Sequence, residues 1–166
     1  VLLKDDQPRD TFAVARALAD YLKEVSPDMI FFGKQSVDSD HAAVGQMVAE
    51  FLGLPSVSVV VRLDVTGSTA VAEREVEGGR ERVTTTLPAV ITAQKGLNDP
   101  RYPSLKGIMA AKNKPIEERP ASLVPNKVEV LTMKRPPAKA AGKIVGTDAG
   151  AVPELVRLLK EEAKVI

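Results

Sequence analysis

The stretch "DMIFFGKQSVDSDHAAVGQM", residues 28–47, decides the fold. Its apolar opening, closed by Gly33, is too short for an ordinary helix and reads as a buried strand of a parallel sheet. A polar loop follows. Across 41–52 Val44, Met47, Val48, Phe51 and Leu52 then share one side of a helix, which Gly53 and Pro55 end. In open α/β sheets ligands sit beyond the carboxyl ends of the strands, and a helix start presents free backbone N–H groups with partial positive charge. The loop from Gly33 to Asp40 is therefore placed for an anion such as phosphate. Asp38 and Asp40 do not suit bare phosphate, and two roles are open to them: capping the helix, or accepting from a ribose hydroxyl while backbone amides hold the phosphate.

Working outward, "TFAVARALADYLKEV" (11–25) places Val14, Leu18, Tyr21, Leu22 and Val25 at the period of an amphipathic helix, stopped by Pro27. "SVSVVVRLDV" (56–65) is β-branched and reads as a strand, and Gly78-Gly79 divides two alternating segments of 71–87 into a hairpin. "PAVITAQ" (88–94) is another buried strand, followed by a helix near 104–113 and a strand at "KVEVLTM" (127–133). Helix and strand alternate, which predicts an α/β fold, an open sheet with an inserted antiparallel hairpin. From Lys134 to Ala151 prolines and glycines interrupt any period, predicting an extended arm. A last helix carries Val152, Leu155, Val156, Leu159 and Ala163 on one face, so the chain is read as an α/β domain over 1–133 and an arm plus helix over 134–166.

A chain of 166 residues with 44% apolar content suits one ordinary core. Twenty-three Lys and Arg against 22 Asp and Glu leave a net charge of +1, so electrostatic steering must come from local patches. Four Phe, two Tyr and no Trp supply no base-stacking surface, which argues against nucleic acid. The absence of cysteine removes disulfides and thiolate chemistry and favours a reducing compartment. "VLLKDDQPRD" (1–10) contains neither a signal-peptide core nor a spanning segment, so no membrane insertion is expected. His41 is the one histidine; with Asp38 and Asp40 it falls short of the fixed ligand set a metal needs, and no metal site is expected. No G-x-S-x-G elbow, Walker lysine motif or G-x-G-x-x-G fingerprint occurs, so the signatures of acyl transfer, phosphoryl transfer and classical dinucleotide binding are missing.

"LNDPRYPSLKGIMAAKNK" (97–114) holds the other candidate site. Leu97, Asn98, Asp99, Pro100, Arg101, Tyr102 and Pro103 form a loop stiffened by proline, and the helix after it carries Lys106, Lys112 and Lys114. One reading is a preorganised apolar hook inside a positive collar; the other puts Leu97 in the core and the lysines on a solvated helix face.

This second stretch resembles the signature of the electron transfer flavoprotein beta-subunit family, L-N-E-P-R-Y, then a small residue, a short linker, I-M and a lysine-rich tail. The similarity extends through "GKQSVDSD", "GQM", "EREVEGG", "LPAVITA" and "PPAKAAGKIV", nearly the whole chain from residue 11. Three departures stand out: Ala43 where relatives often carry an amide, Asp99 for Glu, and Pro103 for a small residue. Family chains normally begin with a further strand-and-helix region, so the resemblance leads one to expect a fragment with exposed sheet edge and apolar surface.

The resemblance implies an adenine-nucleotide-binding, Rossmann-like, mostly parallel sheet in a non-catalytic electron-carrier subunit. It implies a heterodimer whose alpha subunit carries most of the FAD site, while this chain holds a structural AMP. The AMP phosphate would lie against Gly33, Lys34, Gln35, Ser36, Val37, Asp38, Ser39 and Asp40. Electrons would come from acyl-CoA and related dehydrogenases, which a hook at Leu97 would engage while Asn98 to Tyr102, Lys106 and Lys112 surround it. Some relatives replace AMP with a second FAD; the "VGQM" stretch looks more like the AMP type. The setting implied is bacterial cytoplasm or mitochondrial matrix. The alternative is a stand-alone adenine-nucleotide-binding module of stress-protein type, without flavin.

Overall fold

The computed structural model describes residues 1–139 and 141–166; Ala140, within the stretch read as an arm, lies outside the described residues. Strand β1 (Leu2–Lys4) leads to helix α1 (Thr11–Val25), β2 (Met29–Gly33), α2 (Val44–Leu52), β3 (Ser56–Thr66), β4 (Thr69–Val76), β5 (Gly79–Thr86) and β6 (Ala89–Ala93). Helix α3 (Leu105–Ala111) and β7 (Glu118–Pro120) complete a first unit, Val1–Glu129. A second unit, Val130–Ile166, holds a 3-10 turn (Ala149–Ala151) and helix α4 (Val152–Glu161).

The main sheet has the order β2-β6-β3-β4-β5: β2, β6 and β3 run parallel, and β3, β4 and β5 form an antiparallel meander. The fold is thus α/β and Rossmann-like, with the expected hairpin turning at Gly78. β6 is apolar at successive positions because both its faces are covered: Ala89, Val90, Ile91 and Thr92 are all buried. Ile91 packs with Val57, Val60 and Ala72 on one face. On the other, Val90 meets Ile30 and Ala49, while Ala15, Ala19 and Val48 fill the seam between α1 and α2. Burying each Val or Ile side chain contributes about 1.5–3 kcal/mol.

One bulge joins the two halves of the sheet. β3 pairs with β6 through Ser56, Val57 and Val60, and the register shifts between Val57 and Val60. Val59 sits there at φ 62°, a left-handed conformation that a β-branched residue rarely adopts. Its N–H, removed from the ladder, donates to Thr92 Oγ1 at 3.1 Å, which satisfies the one buried polar side chain among the core residues.

The expected strand at "KVEVLTM" does not form. Alternating side chains make a strand only where another backbone accepts its hydrogen bonds, and here the N–H groups of Lys127 and Val128 instead donate to the Asp10 carboxylate. The strand in this part of the chain is β7, which pairs in parallel with β1. Residues 117–128 form a strap lying back along α1. Arg119 pairs with Glu24 at 2.9 Å and stacks over Tyr21, Ser122 donates to Asp20 at 3.0 Å, and Lys127 lies over Phe12. In the second unit, residues 134–139 and 141–144 are exposed without helix or strand, and α4 exposes Val152, Leu155 and Val156 opposite an Arg157 that pairs with Glu154 and Glu161.

Helix α2 approaches the sheet through Gly45, where an added Cβ would stand 2.7 Å from Thr92 Cγ2 and 3.3 Å from Phe32 Cβ. Gly45→Ala should destabilise the fold by about 1–3 kcal/mol through overpacking, more than the up to about 1 kcal/mol that alanine gains in helix propensity. A urea midpoint equal to or above that of the native chain would show that α2 stands further from the sheet.

Candidate functional site

Two helices begin at one end of β2. Because α1 precedes the strand and runs back against it, its first turn comes to the carboxyl end of β2, where α2 also starts. Between them lies a cleft of about 550 Å³, lined by Arg9, Thr11, Val14 and Leu18, by Phe32 and Gly33 at the strand end, and by loop residues through to Val44 and Gly45. Both helix starts turn their positive dipole ends toward it.

The α2 start is open to a ligand. Its N-cap, Ala43, makes no side-chain capping bond, and the backbone N–H of Met47 donates to the Ala43 carbonyl to make the first intrahelical bond. Asp40 therefore does not cap α2. It sits at φ 58°, its carboxylate takes a hydrogen bond from the Gln35 side-chain amide, and its N–H donates to the carbonyl of Ser36. The loop closes on itself further through Ser36 and Ser39, whose hydroxyls lie 2.9 Å apart. The Ser36 hydroxyl, then the backbone N–H of Ser39, holds the Asp38 carboxyl below the usual carboxylate range. An ionised Asp38 on the cleft wall accepts hydrogen bonds and repels phosphate, so it suits a sugar hydroxyl better than an anion.

Of the loop residues expected at the site, Gly33, Lys34, Gln35, Ser36, Asp38 and Ser39 line the cleft, whereas Val37 projects fully into solvent. The wall from α1 was not expected. Thr11 Oγ1 stands 2.8 Å from His41 Nδ1 and ties this wall to the loop, and Arg9 lines the cleft while paired with Asp5. The signal that could have found it is topological, since a helix preceding a parallel strand must bring its first turn to that strand's carboxyl end. Fit to a nucleotide rests on two features: the uncapped α2 start, and no atom within 4 Å of an added Cβ at Gly33. The volume lies within the range of small-molecule sites. Among the described residues no group of three or more His, Asp or Glu is placed to hold a metal.

The second candidate surface differs from its expected form. Leu97 is half-buried against Val57, Val60, Ala72 and Ile91, so it roots the loop and is not the exposed tip. Asn98, Asp99, Pro100 and Arg101 are exposed beyond it. The apolar groups in solvent are Tyr102, 93% exposed, and Leu105, 76% exposed, with Ile108 and Met109 beside them on a helix that has no buried residue. Ser104 caps that helix by accepting from Gly107 N at 3.2 Å, and Lys106 and Lys112 are exposed on it. No helix among the described residues is long and apolar enough to cross a membrane.

A family model described as the electron transfer flavoprotein domain matches residues 1–124. Among individual relatives, electron transfer flavoprotein subunit beta of Bacillus subtilis is 41% identical over 97% of this chain and 65% of its own length. The same subunit of Syntrophomonas wolfei is 41% identical, over 99% of this chain and 66% of the relative, and that of Homo sapiens 38%, over 92% and 60%. The chain spans less than two thirds of the length of these curated relatives.

The burial of Leu97 generates a stability prediction. Leu97→Ala should cost about 2 kcal/mol, at the low end for leucine truncation because the side chain is only partly enclosed. Leu105→Ala should leave the melting temperature within a degree or so of the native value, since surface changes typically fall within about 0.5 kcal/mol. Calorimetry of both variants decides; equal melting temperatures would mean that Leu97 has no packing role.

Proposed function

The chain belongs to the electron transfer flavoprotein family, grouping with its beta subunits, and from that premise we propose that it holds AMP in the cleft at the end of β2 as part of a heterodimeric electron carrier. The observation that carries the nucleotide reading is the convergence of two helix starts, one without a side-chain cap, beside a carboxylate kept ionised. The phosphate would rest on the open amides of α2 and of the loop, with Lys34 and Arg9 supplying charge, while Asp38 accepts from the ribose. Val37 would stay in solvent, and Asp40 would act through Gln35 by fixing the loop.

The partner is proposed to be an alpha subunit carrying most of the FAD site. FAD, when bound there, takes up electrons from a dehydrogenase and passes them on; the present chain contributes no catalytic group of its own. The exposed apolar face of α4 and the exposed residues 134–139 and 141–144 before it supply surface suited to that subunit. Acyl-CoA and related dehydrogenases would be met by the loop around 97–112, with Leu105 and Tyr102 as apolar anchors and with Arg101, Lys106 and Lys112 steering the approach. Bacterial cytoplasm or mitochondrial matrix is the proposed setting.

Denaturing the purified heterodimer should release AMP and FAD in near-equal amounts, read by chromatography of the supernatant. A second FAD in place of AMP would overturn the nucleotide assignment, and a colourless chain that binds nucleotide without any flavin-bearing partner would overturn the electron-carrier reading. For the docking surface, Leu105→Ala should raise the off-rate from the dehydrogenase, at a cost of about 1–4 kcal/mol for a buried interface anchor. Neutralising Lys106 and Lys112 should slow association at low salt and have little effect at 1 M, where the Debye length is about 3 Å. Electron transfer unchanged by Leu105→Ala would remove the anchor from this position.

A further inference from the structure

The segment Pro8–Thr11 serves two sites at once. Arg9 and Thr11 line the cleft. Pro8 and Asp10, alternating with them, face the strap: the Asn126 side chain donates to the Pro8 carbonyl at 3.2 Å and accepts from the Asp10 N–H at 3.2 Å. The Asp10 carboxylate completes the clasp. Its Oδ1 accepts from Ala13 N at 2.8 Å, which caps α1, and its Oδ2 accepts from the N–H groups of both Lys127 and Val128. One carboxylate thus starts the helix whose first residue, Thr11, reaches His41 in the ligand loop, and also fastens the chain just before the second unit.

We propose that Asp10 and Asn126 are positioning residues that link occupancy of the cleft to closure of the strap at 126–128. The proposal rests on the nucleotide reading above. A ligand held between Arg9, Thr11 and the loop fixes the backbone of 8–11, which supplies the Pro8 carbonyl and the Asp10 N–H that grip Asn126 and carries the Asp10 carboxylate that grips Lys127 and Val128. Whatever factor the bound ligand adds to clasp closure, a closed clasp must add to ligand affinity, because binding free energies are reciprocally linked. The local unfolding that matters is that of the strap, whose exposed hydrogen bonds place it among the parts of a fold that open most readily.

The two functions of Asp10 separate by substitution. Asp10→Asn retains an oxygen to cap α1, a role asparagine fills well, but cannot present an acceptor to both Ala13 and the strap amides. Asn126→Ala opens the clasp from the other side and leaves the cap intact. In the full chain, saturating AMP should slow hydrogen exchange at the Lys127 and Val128 amides by about 5-fold or more, the lower range of measured couplings. Both variants should weaken AMP binding in calorimetry by a comparable factor while keeping native helix content by circular dichroism. AMP that binds without altering exchange at 127 and 128, or that binds Asn126→Ala as tightly as the native chain, overturns the linkage and leaves the nucleotide site standing. Failure of AMP to bind the native chain at all overturns both.

Discussion

Thr92 is the residue on which both halves of the structure turn. Its hydroxyl accepts from Val59 N and so stabilises the bulge at which β3 leaves its parallel neighbour for an antiparallel one. Its methyl group faces Gly45, where α2 comes closest to the sheet. A valine here would keep the shape and orphan the Val59 amide, which costs about 1–3 kcal/mol when such a group is buried. A larger residue would push α2 away. The placement of the loop at the candidate site, which hangs between β2 and α2, is therefore set from within the sheet.

Much of this was legible in the sequence because the decisive signals were local. The strand, loop and helix of 28–52, the amphipathic α1 and the Gly78-Gly79 hairpin all declare themselves through periodicity and punctuation. The failures share a cause. "KVEVLTM" has strand-like alternation, but its amides went to a carboxylate more than a hundred residues upstream, and no local pattern reports that. For Leu97, which follows a glycine in a polar loop, a solvent-exposed hook and a core side chain were both open, and no local pattern reports that the loop folds back onto Ile91 and its neighbours. Arg9 and Thr11 joined the site through topology, since their distance in sequence from Gly33 hides a proximity that the direction of α1 enforces.

The two candidate surfaces differ in how they are held. The cleft is framed by helix starts and a loop braced by its own hydroxyl and amide groups, an arrangement that is preorganised for a small polar ligand. The 97–112 surface has one apolar root and an otherwise solvated short helix, so its exposed side chains are free to adapt to a broad partner surface. Rigid framing suits a group that stays bound, and an adaptable rim on a fixed root suits an encounter that must end.

The strap also dictates an order of events during synthesis. Its contacts with α1 join residues 95 to 118 positions apart, from Arg119–Glu24 to Val128–Asp10. As the chain emerges from the ribosome, α1, the parallel strands and the meander can all assemble while the outer side of α1 is still bare. Only after residue 128 has been made can that side be covered, and the closure of so long a loop carries an entropic cost that nearby contacts do not. Until then the nascent chain lacks the Arg119 and Lys127 side chains that lie over Tyr21 and Phe12, an interval in which a chaperone has a defined surface to recognise.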